Sequence, residues 1–172
     1  MATFLLTWSA TDTGYARTNY ATDIADTAAG RTVRGRWSFG SRRSGTAPGD
    51  RVFLLRQRRD RGIVASGTLA DGTIFPAEHW QRRPGRSTYY ADVRWNRVLP
   101  VADRLPFEEL LHDVPGHDWR HIYGSGQQVR PPAAAALHRR WADHLDDLAR
   151  RVEVSAPARR VADVSNSAAH PQ

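Results

Sequence analysis

The sequence has no cysteine, no lysine and a single methionine. Without cysteine there can be no disulfide framework, no thiolate nucleophile and no cysteine-based zinc site. No apolar run approaches the roughly 18 residues that a membrane-crossing helix needs. The opening segment, MATFLLTWSATD, has a short apolar run and no basic stretch before it, so it does not read as a secretory leader. The expected compartment is the cytoplasm, away from any membrane.

Catalytic signatures are absent too. There is no Walker A sequence, no GxGxxG, no HExxH and no HNH signature. Ser66 sits in Ala-Ser-Gly and Ser125 in Gly-Ser-Gly, neither within the GxSxG frame of an activated serine. No pair of carboxylates stands out for acid–base work. His117 and His121 are four apart, but in a segment that reads as loop, where that spacing does not put two ligands on one face. The expectation is a chain with no catalytic centre, no metal and no cofactor.

What the sequence does have is arginine. All 25 basic residues are arginine, against 18 Asp and Glu, for a net charge of +7. A GC-rich genome also replaces lysine codons, so the placement of the charge says more than the residue choice. Residues 31–97 hold 15 arginines against 5 acids, whereas 1–30 and 98–172 are each slightly acidic. One segment carries the whole excess. Such a segment is the footprint of a polyanion partner, the alternative being a merely solvated surface. Arginine's planar fork grips phosphate with two bonds and stacks on bases.

At 172 residues and 40% hydrophobic composition, the chain can bury one real core. Residues 3–8, TFLLTW, read as a strand. Residues 15–29 place Tyr15, Tyr20 and Ile24 near helical spacing, with Gly30 ending the helix. Residues 33–39 return to strand. The APGD turn leads to a strand at 52–56 buried on both faces, and 62–69 is its hairpin partner. ADGT makes another turn. Residues 88–99 alternate as a long strand. Pro106 opens a helix with Glu108 and Glu109 in its first turn. Residues 114–130 read as loop. Residues 131–151 form the clearest helix, with Leu137, Trp141, Leu145 and Leu148 as its apolar stripe. One domain over 1–152 and a polar tail over 153–172 follow. The expected class is α+β, a strongly bent, mostly antiparallel sheet or small barrel with flanking helices.

Six tryptophans are many for this length. Trp141 and Trp95 fall on apolar faces and read as core. Trp8, Trp37 and Trp80 stand at strand ends beside polar or basic residues. An aromatic ring next to cations suits stacking on a nucleobase while phosphates are held nearby. The alternative for each is packing at the rim of the core.

These pieces occur in a recognisable order. RWSFG, PGDRVFLL, GIVASG, YYADVRW and DWRHIYGSGQQV resemble the EVE-type domain of the PUA-like superfamily over about residues 3–150. The version they resemble most stands at the N-terminus of HNH-containing, modification-dependent restriction endonucleases. Trp37-Ser38 is also similar to the start of the tryptophan-serine-threonine motif of YTH domains. One departure is plain: the lysine-serine-glutamate-proline segment usual after the first EVE strand is replaced by TWSATDT.

The resemblance implies a bent β-barrel and a pocket for one modified base. That base is expected to be 5-methylcytosine or 5-hydroxymethylcytosine flipped out of double-stranded DNA. It implies Trp37 and Ser38 as the pocket, with Trp8 and Phe39 as neighbouring walls and Trp80 beside them. Arg36, Arg42, Arg43, Arg56, Arg58 and Arg59 are expected on the DNA backbone. Ser125, Gly126 and Gln127 are expected in a groove or in the gap left by the base. Any HNH nuclease would lie outside this chain, with the tail as the start of a linker. Two other readings stay open: an RNA-binding PUA-like domain in RNA modification or decay, and an ASCH-type enzyme acting on a nucleotide-like substrate.

Overall fold

The structure is a computed structural model and describes residues 1–78 and 87–156. Its elements in chain order are β1 (Thr3–Ser9), α1 (Gly14–Thr18), α2 (Tyr20–Ala28), β2 (Val33–Gly40), β3 (Arg51–Gln57), β4 (Gly62–Leu69), β5 (Phe75–Glu78), β6 (Ser87–Val98), β7 (Leu105–Pro106), α3 (Phe107–Asp113), β8 (Gln127–Val129) and α4 (Ala133–Ser155).

The strands form one curled sheet, a half-barrel with the order β2-β6-β4-β3-β1-β8. β5 extends the pairing along the first third of β6, and β7 does so along the start of β4. The described pairings are antiparallel except β1 with β3, which run parallel from Thr3↔Arg51 to Ser9↔Gln57. A parallel neighbour requires a long crossover. Here the chain leaves β1, runs through α1, α2 and β2, and returns as β3.

Strand alternation divides the core in two. On one face, Leu5, Phe53 and Leu55 pack with Leu110 of α3 and Leu137 and Trp141 of α4. On the other, Phe4, Leu6, Trp8, Val52 and Leu54 meet Phe39, Val93 and Trp95, covered by Tyr15, Tyr20 and Ile24. Each such buried Leu or Phe contributes about 1.5–3 kcal/mol relative to exposure. The two-sided burial expected of residues 52–56 is what β3 shows.

Polar groups fix the frame. Asp50, in the turn before β3, is buried and accepts the Ala2 N–H at 2.9 Å and the Ala47 N–H at 2.8 Å. That ties the start of β1 to the Pro-Gly-Asp turn. Gly67 lets β4 and β6 approach, because a Cβ there would stand 2.3 Å from the Arg94 carbonyl oxygen. On α4, the Trp141 indole N–H donates to Ser66 Oγ at 2.9 Å. Arg140 reaches back from α4 to α3, pairing with Glu109 and, at 2.9 Å, with Asp113. Among the described residues no helix is long and apolar enough to cross a membrane.

Candidate nucleic-acid interface

The curl stops short of closing between β1 and β2. The bridge is the loop before β8. Ser125 Oγ accepts the Thr7 N–H at 3.1 Å and donates to the Ser38 carbonyl oxygen. The next residue, Gly126, donates its N–H to the Leu5 carbonyl at 2.8 Å. It has a φ of +88°, and a Cβ there would lie 2.4 Å from the Phe39 carbonyl oxygen. A serine short enough to bond both strands and a glycine with no side chain are what this seam requires. Gln127 begins β8 and pairs with Leu5.

Two cavities open on either side of Ser125. The first, about 540 Å³, is lined by Thr7, Ser9, Thr11, Asp12, Gly14, Tyr15, Thr18, Arg36, Trp37, Ser38, Gly40, Tyr90 and Ser125. Its aromatic corner is Trp37 against Tyr15, ring centres 5.1 Å apart and nearly perpendicular. Trp37 also meets Trp95 edge to face at 6.0 Å, and its indole N–H donates to the Thr7 carbonyl at 3.1 Å. The ring is therefore held rigidly at the cavity wall. Tyr15 donates its hydroxyl to Asp23 at 2.7 Å. Burial and the neighbouring Asp23 push the Tyr15 hydroxyl far up, so it stays protonated. Burial also raises Tyr20 to about 12 and raises the Asp23 carboxyl above its usual range.

The second cavity, about 550 Å³, is polar. It is lined by Ser41, Arg42, Arg43, Ser44, His121, Tyr123, Gly124, Ser125, Gly126 and Gln127. Tyr123 is 87% exposed at its mouth. The two adjoining spaces share one serine: Trp37, Ser38 and Arg36 line the first, and Arg42, Arg43, Gly126 and Gln127 the second.

Of the expected pocket residues, Trp37 and Ser38 line the first cavity. Trp8 and Phe39 do not. Both are buried core residues, 2% and 0% exposed. Trp8 lies on the same strand face as Phe4 and Leu6, packed edge to face on Tyr15 and Tyr20. Phe39 faces Phe4. The wall expected of Trp8 is supplied by Tyr15. Trp80 lies outside the described residues.

The arginines also separate. Arg36 lines the first cavity and pairs with Asp92 at 3.5 Å. Arg43, Arg58 and Arg59 are exposed. Arg42 is partly buried: its Nε–H donates to the Gly126 carbonyl at 2.7 Å and its guanidinium lies over Phe4. Arg56 lies over the Trp8 ring at 4.7 Å. These two brace the fold as well as adding charge. The turn carrying Arg58 and Arg59 adjoins the cavity rim, since the Ala10 N–H donates to the Gln57 carbonyl at 3.2 Å.

Sequence reasoning missed Asp12, Tyr15, Thr18, Tyr90 and Tyr123. Among the described residues no three His, Asp or Glu stand where they could hold a metal ion. The chain matches no protein-family model and no curated protein.

Proposed function

We propose that this protein reads a modified base in double-stranded DNA, on an EVE-like member of the PUA-like folds. The base, 5-methylcytosine or 5-hydroxymethylcytosine, is flipped from the duplex into the cavity of Trp37 and Tyr15. The observation that carries this is the junction at Ser125. A rigid aromatic corner in a cavity of about 540 Å³ adjoins a second cavity bearing Arg42 and Arg43.

The magnitudes are compatible. Extruding a base costs a few kcal/mol. Stacking on an aromatic ring returns about 1–3 kcal/mol. Arginine–phosphate contacts add salt-sensitive affinity. A methyl group contributes only about 0.8 kcal/mol by area. Discrimination therefore needs polar contacts and shape in addition to methyl burial. In this reading the chain supplies recognition within a restriction system, and cleavage belongs to an HNH nuclease domain outside it.

The test is a titration of matched duplexes carrying cytosine, 5-methylcytosine, 5-hydroxymethylcytosine or N6-methyladenine, together with single-stranded RNA, at two salt concentrations. Tighter binding of one cytosine modification supports the reading. Equal affinity for every duplex, or preference for the RNA, overturns it.

A further inference from the structure

The aromatic cavity contains a carboxylate held from two sides. Asp12 follows β1, in the loop before α1. The buried Trp8 donates its indole N–H to the Asp12 carbonyl oxygen at 3.0 Å. Asp12 Oδ1 in turn accepts the Gly14 N–H at 3.0 Å. Backbone and one carboxylate oxygen are thereby pinned. The other oxygen, Oδ2, has no hydrogen-bond partner among the described residues. Arg36, the one arginine among the described residues that lines this cavity, pairs with Asp92. Ser9 and Thr11 hydroxyls bond each other at 2.9 Å.

Asp12 Oδ2 is open to solvent and free to meet a ligand, whereas the same wall holds a buried unsatisfied group. Tyr90 is 8% exposed and lines the cavity, and its buried hydroxyl has no partner among the described residues. Buried polar groups without partners are rare in folded proteins. This cavity therefore contains a fixed acceptor, an aromatic corner and an unmatched hydroxyl.

We propose that Asp12 selects bases bearing an exocyclic amino group, with Trp8 as the residue that positions it. This rests on the base-reading function above and specifies which bases that site admits. A carboxylate only accepts hydrogen bonds. The amino group of a cytosine or adenine donates to it, as Asp and Glu accept from the cytosine amino group elsewhere. Thymine and uracil present a carbonyl oxygen at the corresponding position. Two acceptors then face one another, and neither is satisfied. The buried Trp8 thus gains a role that its position in the core conceals. It sets the height of the loop from which Asp12 projects.

Duplexes with the test nucleotide opposite an abasic site remove differences in pairing cost. They carry 5-methylcytosine, thymine or cytosine, and the first two share the same methyl group. Fluorescence anisotropy with the whole chain should show 5-methylcytosine favoured over thymine by about tenfold or more. Asp12→Asn, whose amide presents a donor as readily as an acceptor, should bring that ratio to within about threefold. Trp8→Phe keeps an aromatic core residue and removes the indole donor. It should lower the same ratio while binding to a fully paired, unmodified duplex stays unchanged, which a merely structural residue would not do. Asp12→Asn retaining the wild-type ratio overturns the inference. A wild type that separates 5-methylcytosine from cytosine but not from thymine overturns amino selection alone. One that separates it from thymine but not from cytosine overturns modification reading and leaves amino selection standing.

Discussion

The Trp37 indole N–H donates to the Thr7 carbonyl oxygen at 3.1 Å, joining β2 to β1 across the seam where the sheet fails to close. The bond holds the edge of the ring, and Tyr15 and Trp95 each meet it nearly at right angles. A platform fixed in advance loses little entropy when a base stacks on it.

Trp37→Ala should therefore erase the preference for a modified duplex and weaken binding of that duplex by about 1–3 kcal/mol. Trp37→Phe keeps a stacking ring and gives up only the N–H bond, so it should retain most of the preference. Anisotropy titrations of both variants, with circular dichroism to confirm folding, check this. If Trp37→Phe binds as poorly as Trp37→Ala, stacking is not what Trp37 contributes.

Ser125 and Gly126 should matter to stability more than their place in a polar loop suggests. Ser125→Ala leaves the Thr7 N–H and the Ser38 carbonyl without their partner, at a cost of about 1–3 kcal/mol. Gly126→Ala forces a Cβ toward the Phe39 carbonyl at a positive φ and should cost more. Urea denaturation measures both. A Gly126→Ala protein as stable as the wild type would refute the seam.

This seam marks where sequence reasoning runs out. The β-branched, aromatic and aliphatic residues of TFLLTW and the continuous apolar run of DRVFLLRQ made β1 and β3 visible, because local composition reports local burial. A period of two along β1 places Trp8 with Phe4 and Leu6 in the core, whereas Phe39 falls at the register shift between Ser38 and Gly40, where alternation no longer reports burial. Nothing local could pair Thr7 with Ser125, since the relationship joins residues 118 apart in sequence. Tyr15 showed its helical spacing but not the cavity beneath it, because a helix's position on a sheet is set by packing. β5, only four residues long and interrupted by Pro76, and β8, three residues within a segment read as loop, carry too little pattern to detect. The parallel pairing of β1 with β3 was hidden for the same reason as the seam.

Arginines should separate by role. Arg43, Arg58 and Arg59 are exposed and form no ion pair among the described residues. Replacing all three with alanine gives up only the exposed Arg43 contact over the Tyr89 ring and should lower stability by no more than about 1 kcal/mol. It should reduce the slope of log affinity against log salt by about 0.9 for each phosphate no longer neutralised. Arg42→Ala removes the donor to the Gly126 carbonyl and should destabilise the fold by about 1–2 kcal/mol. An unchanged salt slope in the triple variant would place the phosphates elsewhere.

Stability should decline on mild acidification. Burial holds the imidazoles of His117, His138 and His144 below the usual 6.5. For His138, the Arg51 guanidinium 3.4 Å from Nδ1 acts in the same direction, while Thr3 Oγ1 lies 3.0 Å from Nε2. His144 donates to the Asp103 carbonyl through Nε2–H at 2.7 Å, a bond that partly offsets its burial, as the nearby Asp147 also does. Arg140 and Arg151 oppose its protonation. A depressed folded-state pKa means that the unfolded chain binds the proton first. Between the unfolded value and the lower folded one, the unfolded state holds more protons, so stability falls as pH falls. The contribution is complete above about 6.5 and is lost below it. Asp23 has the opposite sign: its raised carboxyl makes the folded state hold the proton longer, so its contribution is present at low pH and lost as pH rises through the folded value. The Asp23 window opens at the carboxyl's usual 3.8, whereas the histidine window closes at 6.5, where three imidazoles act together. Urea midpoints measured from about pH 8 to about pH 5 should therefore fall below about 6.5, and His138→Gln, which cannot titrate, should flatten that fall. Midpoints that stay level or rise on acidification across this range would show that burial does not set the protonation of these imidazoles.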